Sequence, residues 1–270
     1  MRKIFTLIAL VFAAGPMLAQ YTMTRSDFPQ IGDSQYYSEA DTTGLTPGPG
    51  GTGQTWDFSG AVQLGSSLTV NWGDATMHPN GGMFPGSDIV QTFSNEYNFF
   101  ASNNDSMVHT GEVSLTGTDL PYSDPGVLWY FPLNFNDMNS DSVFGEYFDG
   151  FLTNANRWGE VSTHFDGDGT VITPFATYNN VNRLYTQGIY QDSSWTGAVN
   201  TEVQVFRWEW YQQGRTLPVM SINVRLVSVN AGPFTETTSI WYADSQLVNV
   251  DAAIAAAEMQ VYPNPTAGNA

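Results

Sequence analysis

Along most of the chain, apolar and polar residues alternate or β-branched and aromatic residues cluster, and glycine or proline interrupts about every eight to twelve residues. Successive side chains of a strand point to opposite faces, so this pattern predicts an all-β protein. Leu68 to Trp72 alternates cleanly. From Val203 to Tyr211 one face carries Phe206, Trp208 and Trp210, and the other carries Val205, Arg207, Glu209 and Tyr211. The aromatic row is expected to face the core, with a sugar-binding platform as the alternative. Glu96 to Ala101, the turn-former SNND and Ser106 to Leu115 predict a hairpin. Val161 to Phe165, DGDG and Thr170 to Thr173 predict a second one. The stretch TTGLTPGPGGTGQTW, residues 42–56, is too rich in glycine and proline for regular structure and is expected to be a loop leading into Trp56. The expected architecture is a single antiparallel β-sandwich or open barrel.

The two ends read differently. Residues 1–19 start with Arg2 and Lys3, continue in an apolar run from Ile4 to Ala14, and break at Gly15-Pro16 before Ala19. This is the form of a secretory signal peptide, and its apolar run is too short for a bilayer core that needs about 20 residues. Residues 20–250 form the β domain. The run DAAIAAAE, residues 251–258, is shorter than the ~12 to 15 residues of a stable isolated helix and reads as a linker.

Charge narrows the partners. Without residues 1–19 the chain holds 26 acidic residues against six arginines and no lysine, a formal charge of −20. Such a surface repels phosphate backbones and anionic lipid, so nucleic acid is not an expected partner. The chain has no cysteine. An exported protein without disulfides depends on a buried core, which eight Trp, thirteen Tyr and seventeen Phe supply.

Candidate chemistry is sparse. Gly32-Asp33-Ser34 resembles the opening signature of secreted ester hydrolases. In that family the triplet follows a buried strand, and a late Asp-x-x-His supplies the base that a serine nucleophile needs. Here it follows Phe28-Pro29-Gln30-Ile31, and none of His78, His109 and His164 has an aspartate three residues before it. The triplet therefore reads as a turn. The three histidines are too dispersed for a zinc site and are expected at the surface or at strand edges. Asp166, Asp168 and Thr170 have the one-three-five spacing of a calcium loop, but Thr177 stands where the bidentate Glu belongs. A hairpin turn is the expected role of that segment, and the acidic stretch Asp137 to Asp141 shares its weakness. Calcium at Asp166 and Asp168 is the one cofactor candidate. Arg207 and Glu209 share a strand face, as a buried ion pair or a partly exposed one. Glycoside hydrolysis needs two carboxylates about 5 to 10 Å apart, and sequence nominates no pair among the acids.

The C-terminus carries the most specific string. Tyr262-Pro263-Asn264-Pro265-Thr266, followed by Gly268, resembles the start of the C-terminal sorting domain of proteins exported by the type IX (Por) secretion system of Bacteroidetes. The resemblance implies residues 259–270 as the start of a truncated sorting domain. It implies the Sec machinery, the type IX outer-membrane translocon and its sorting enzyme as partners, and an extracellular or outer-surface location reached through the periplasm. Relatives continue for several more strands, so a chain ending at this stub is expected to remain in the periplasm. QIGDS at 30–34, residues 44–60, FPLNFNDMNSDS at 131–142, residues 169–186 and WEWYQQGRTLPVMSI at 208–222 resemble uncharacterised β-rich cargo proteins of the same bacteria. Where those relatives carry Tyr-Gly-Asp, this chain has Phe135-Asn136-Asp137. The resulting expectation is a non-catalytic, secreted or surface-displayed cargo protein. The alternative is a glycan-binding or glycan-hydrolysing protein that uses an exposed aromatic row or a groove with two carboxylates.

Overall fold

The computed structural model describes residues 21–114, 118–148 and 154–244. The segments expected from sequence to be a signal peptide (1–19), a linker (251–258) and the start of a sorting domain (259–270) lie outside them, including Tyr262, Pro263, Asn264, Pro265, Thr266 and Gly268. The strands are β1 (Ser34–Ala40), β2 (Gly51–Asp57), β3 (Gln63–Asp74), β4 (Ile89–Phe93), β5 (Glu96–Ser102), β6 (Ser106–Val113) and β7 (Asp119–Tyr130). They continue as β8 (Met138–Phe148), β9 (Asn154–Ile172), β10 (Thr177–Ser194), β11 (Asn200–Gln212), β12 (Met220–Val229) and β13 (Thr235–Ala243). From β3 to β13 each strand pairs antiparallel with the next, and β1 sits between β13 and β3. The twelve strands so joined form a closed antiparallel barrel. Of the sandwich and the barrel, the chain adopts the barrel, and it is closed. Among the described residues only β2 stands outside the ring, parallel to the last residues of β9.

Short turns make this meander possible. The β5–β6 turn is the expected one: the Asn103 Oδ1 accepts the amides of Asp105 and Ser106. Between β12 and β13, Asn230 and Ala231 both take positive φ, 50° and 56°. That is the backbone of the tight hairpin turns whose twist matches paired strands.

One end of the barrel interior is filled with apolar side chains. The segment before β1 places Met23 and Phe28, each 1% exposed, among Trp72, Phe100, Met107, Trp129, Phe165 and Leu184. The Phe28 ring lies 4.9 Å from Phe131 and 5.6 Å from Tyr211. A bridge from Met23 to Leu133 ties the segment down, and Thr24 caps its 3-10 turn.

A second apolar cluster lies on the outer side of the wall. Trp56 and Phe58 cover Val181, Trp210, Met220, Ile222, Ile240 and Tyr242. Trp56 and Trp210 meet edge to face at 5.9 Å. β2 and the Gly/Pro-rich stretch before it therefore form a strap across the wall, and Arg183 fastens it. Its guanidinium makes a two-point bond to Asp166, 2.8 and 2.7 Å, and donates to the carbonyls of Pro47 and Gly48. It also stacks over Trp56 and Trp210 at 5.1 and 5.8 Å.

Three expectations are corrected here. Part of residues 42–56 is regular after all, because β2 finds a partner edge on β9 where β8 has ended. DGDG is not a hairpin turn: β9 runs unbroken from Asn154 to Ile172. Its glycines serve the strap, since a Cβ at Gly167 would press on the Trp56 ring and one at Gly169 would collide with the Gln54 carbonyl. Finally, the acidic stretch Asp137 to Asp141 enters β8 at Met138, and the Asp141 carboxylate accepts the Val127 amide at 2.9 Å.

The outer wall of β8 and β9 mixes polar Ser140, Ser142, Glu146, Glu160, Ser162 and His164 with exposed Met138, Phe148 and Trp158.

Arg183→Ala should loosen the strap and leave the Asp166 carboxylate without its partner. The expected cost is about 3 to 5 kcal/mol, read from chemical denaturation. An unchanged midpoint would show that the strap holds without the arginine.

Candidate functional site

Beyond the apolar end, the barrel interior opens into a cavity of ≈ 220 Å³. Strand alternation places the wall residues. Trp72, Gln91, Asn98 and Phe100 enter from β3, β4 and β5, and Met107, His109 and Glu112 from β6. β9 and β10 contribute Arg157, Val161, Thr186, Gly188 and Tyr190. β11 and β12 contribute Val203, Val205, Arg207, Glu209, Tyr211 and Arg225. Gly188 is required where it stands, because the Tyr190 ring lies across the space that a Cβ would fill. Arg225 is exposed, and it also borders a depression of ≈ 450 Å³ formed with Val227, Val229, Gly232, Pro233, Thr235 and Thr237, its strand residues on the inward face of β12 and β13. The cavity therefore communicates with solvent past Arg225.

The six described arginines include three that line this cavity: Arg157, Arg207 and Arg225. Arg157 is the most tightly held. It grips both oxygens of Asp192 at 2.7 and 2.8 Å, donates to Glu112 at 2.7 Å, and lies 5.4 Å from the Tyr190 ring centre. Burial alone would lower its pKa, but the charges and hydrogen bonds of Asp192 and Glu112 hold it well above the ordinary value. Burial pushes the Glu112 carboxyl up, and Arg157 and His109 more than offset this, so Glu112 titrates below its usual range. Glu209 goes the other way: burial raises it, and Arg207 compensates only in part. Arg207 donates its Nε to Asn223 at 2.9 Å. Arg225 makes no hydrogen bond or ion pair among the described residues.

The expected inward face of β11 is reversed. Arg207 and Glu209 line the cavity, while Phe206 and Trp208 stand on the outer wall with Tyr185, whose ring is 5.1 Å from that of Trp208. Trp210 shares that outer side but is fully buried beneath the strap. Both faces of β11 are half-covered, one by the cavity and one by neighbouring side chains, so burial did not have to follow hydrophobicity.

The other sequence candidates sit apart from this cavity. The Gly32-Asp33-Ser34 triplet is a turn, with Gly32 at φ 98° and the Asp33 carboxylate accepting the Gln30 amide. Ser34 donates to Asn71 at 2.7 Å and is exposed. Asp166 and Asp168 face the strap and not an open loop: Asp166 is bonded to Arg183, and Asp168 accepts the Gly53 amide at 2.8 Å. Among the described residues no three His, Asp or Glu side chains form a group fit to hold a metal ion.

His78 and His164 lie on the outside, as expected, with the His78 ring packed 4.4 Å from Tyr97. His109 does not. It is a barrel-interior residue with its Nε2 shielded and unpartnered, and its ring packs between Phe100 and Tyr122. The sequence carries little signal for it, since a bulge at Thr110 breaks the alternation between His109 and Glu112.

No protein-family model, curated protein or solved structure matches this chain. The geometry of the cavity therefore carries the functional reading.

Desolvation lowers the His109 pKa from 6.5 to about 4. Between these values the unfolded chain takes up a proton that the folded barrel refuses, so acidification favours unfolding. Stability should fall as pH drops from 6.5 towards 4, by no more than about 1.4 kcal/mol per pH unit from this group. His109→Gln should flatten that part of the profile, measured by urea denaturation across pH. An identical slope in the variant would place the proton uptake elsewhere.

Proposed function

We propose that this chain is an exported, non-catalytic binding protein whose barrel receives a small ligand in its interior. The carrying observation is the cavity itself: sealed by Met23 and Phe28 at one end, entered past Arg225 at the other, and lined by polar groups that the fold leaves unpaired. A concave site with a few convergent polar groups against apolar walls is the usual form of a small-molecule site. Against hydrolysis at Ser34, the hydroxyl bonds to an amide oxygen and not to a base.

The address follows from the termini. The signal-peptide form of residues 1–19 and the likeness of Tyr262–Thr266 and Gly268 to the type IX sorting signal support export through the Sec machinery and the outer-membrane translocon. Carrying a sorting domain continued past Gly268, the protein would act outside the cell or on its surface; with the stub alone it would stay in the periplasm. In a chain that carries the complete sorting domain, replacing Pro263, Asn264 and Pro265 by alanine should leave the protein in the periplasm on fractionation. Undiminished release into the medium would contradict this address.

A second reading has one specific observation behind it. Glu112 and Glu209 line the same cavity, and their environments push their protonation in opposite directions. That is the division of labour between base and acid in glycoside hydrolysis. Turnover of chromogenic glycosides that is lost in Glu209→Gln would establish the hydrolase. Absence of turnover at any pH between 4 and 8 would leave binding as the activity.

A further inference from the structure

We propose that the cavity binds one neutral, polyhydroxylated unit, a monosaccharide or the terminal sugar of a glycan, inserted past Arg225. The proposal rests on reading the barrel as a binding protein and names the class of its ligand.

Charge balance is the first argument. Arg157, Arg207 and Arg225 are countered by Glu112 and Glu209 in the lining and by Asp192 behind Arg157, with Glu96 placed near Arg225. An anion would face these carboxylates and a chain of formal charge −18, and a cation would face the guanidinium groups of Arg207 and Arg225. Neither sign of ligand gains, whereas a neutral one meets no repulsion.

Hydrogen bonding is the second. Among the described residues Arg207 uses only its Nε, Arg225 uses none of its donors, and the Gln91 amide engages Asn98 only through its oxygen. Those are spare donors. Among the described residues the Asn98 oxygen, the second oxygen of Glu112 and one oxygen of Glu209 are spare acceptors lining the same cavity. A ligand that satisfies both kinds needs groups that donate and accept together, and the hydroxyl does so. Polar groups left unpaired after a ligand displaces water weaken binding, so a purely apolar occupant is disfavoured.

Shape is the third. Trp72, Phe100 and Trp129 offer apolar rings to the same space, suited to the C–H face of a pyranose. The volume of ≈ 220 Å³ is below the ~300 to 1,000 Å³ of drug-sized sites and limits the occupant to about one ring.

The test is calorimetric titration and thermal unfolding of the full chain with glucose, galactose, mannose, xylose and N-acetylglucosamine, beside galacturonate, glucosamine and octanoate. At least one neutral sugar should bind with a dissociation constant of about 1 mM or tighter and raise the melting temperature. Galacturonate and glucosamine should bind at least about tenfold more weakly than their neutral counterparts. Arg207→Met and Asn98→Leu should each lose about tenfold or more in affinity; if the arginine variant fails to fold, the asparagine variant carries the test. Octanoate or a charged sugar binding best, with the same sensitivity to Asn98→Leu, would overturn the ligand class and leave the binding barrel standing. Sugar binding abolished by Trp208→Ala but untouched by Asn98→Leu would move the site to the outer wall and overturn the cavity assignment. No binding by any probe would overturn both the class and the binding reading.

Discussion

The pairing of β1 with β13 on one edge and with β3 on the other turns a long antiparallel meander into a ring. Once the ring is closed there are no free edges along the wall, and each strand's alternation sorts its residues into inside and outside. The strap, the plugged end and the cavity all follow from that sorting. β9 is long enough to serve two neighbours on one edge, since its first part pairs with β8 and its last residues, where glycines allow close approach, accept β2.

A ring of twelve strands is wider than side chains alone can fill, because barrel diameter grows with strand number and about eight strands already reach the limit of a packed interior. The chain fills one end with aromatic and aliphatic residues and the rest with charged groups. Those charges persist inside because they are arranged in compensated sets. Arg157 with Asp192 and Glu112 is the clearest, since removing any one partner would strand the others away from bulk water. The Arg183–Asp166 pair does the same work on the outer side of the wall, where it also orders a Gly/Pro-rich segment that has little tendency to order itself.

The all-β class and the β5–β6 hairpin were legible in the sequence because period-two alternation and turn-forming residues are local signals. The direction of each face was not. In β11 the spacing correctly groups Phe206, Trp208 and Trp210, and separately Arg207, Glu209 and Tyr211, yet nothing local tells which group points inward. Hydrophobicity argued for the aromatics; the polar cavity and the strap reversed the choice. The DGDG segment failed for a related reason: glycine marks both a turn and a place where another backbone must come close, and only the partner strand distinguishes them. His109, Glu112 and Arg157 come from two strands far apart in the chain, joined only by barrel closure, so no spacing rule could have assembled them.

The central claim is that the interior cavity is a site, reached from solvent, and not slack space between wall residues. Diffraction from crystals soaked in the tightest-binding neutral sugar tests it most directly. The account predicts density for one ring against Trp72 and Trp129, within hydrogen-bonding distance of Arg207 and Asn98. A cavity closed by its own side chains, with the sugar seated only on Tyr185 and Trp208 outside, would contradict it.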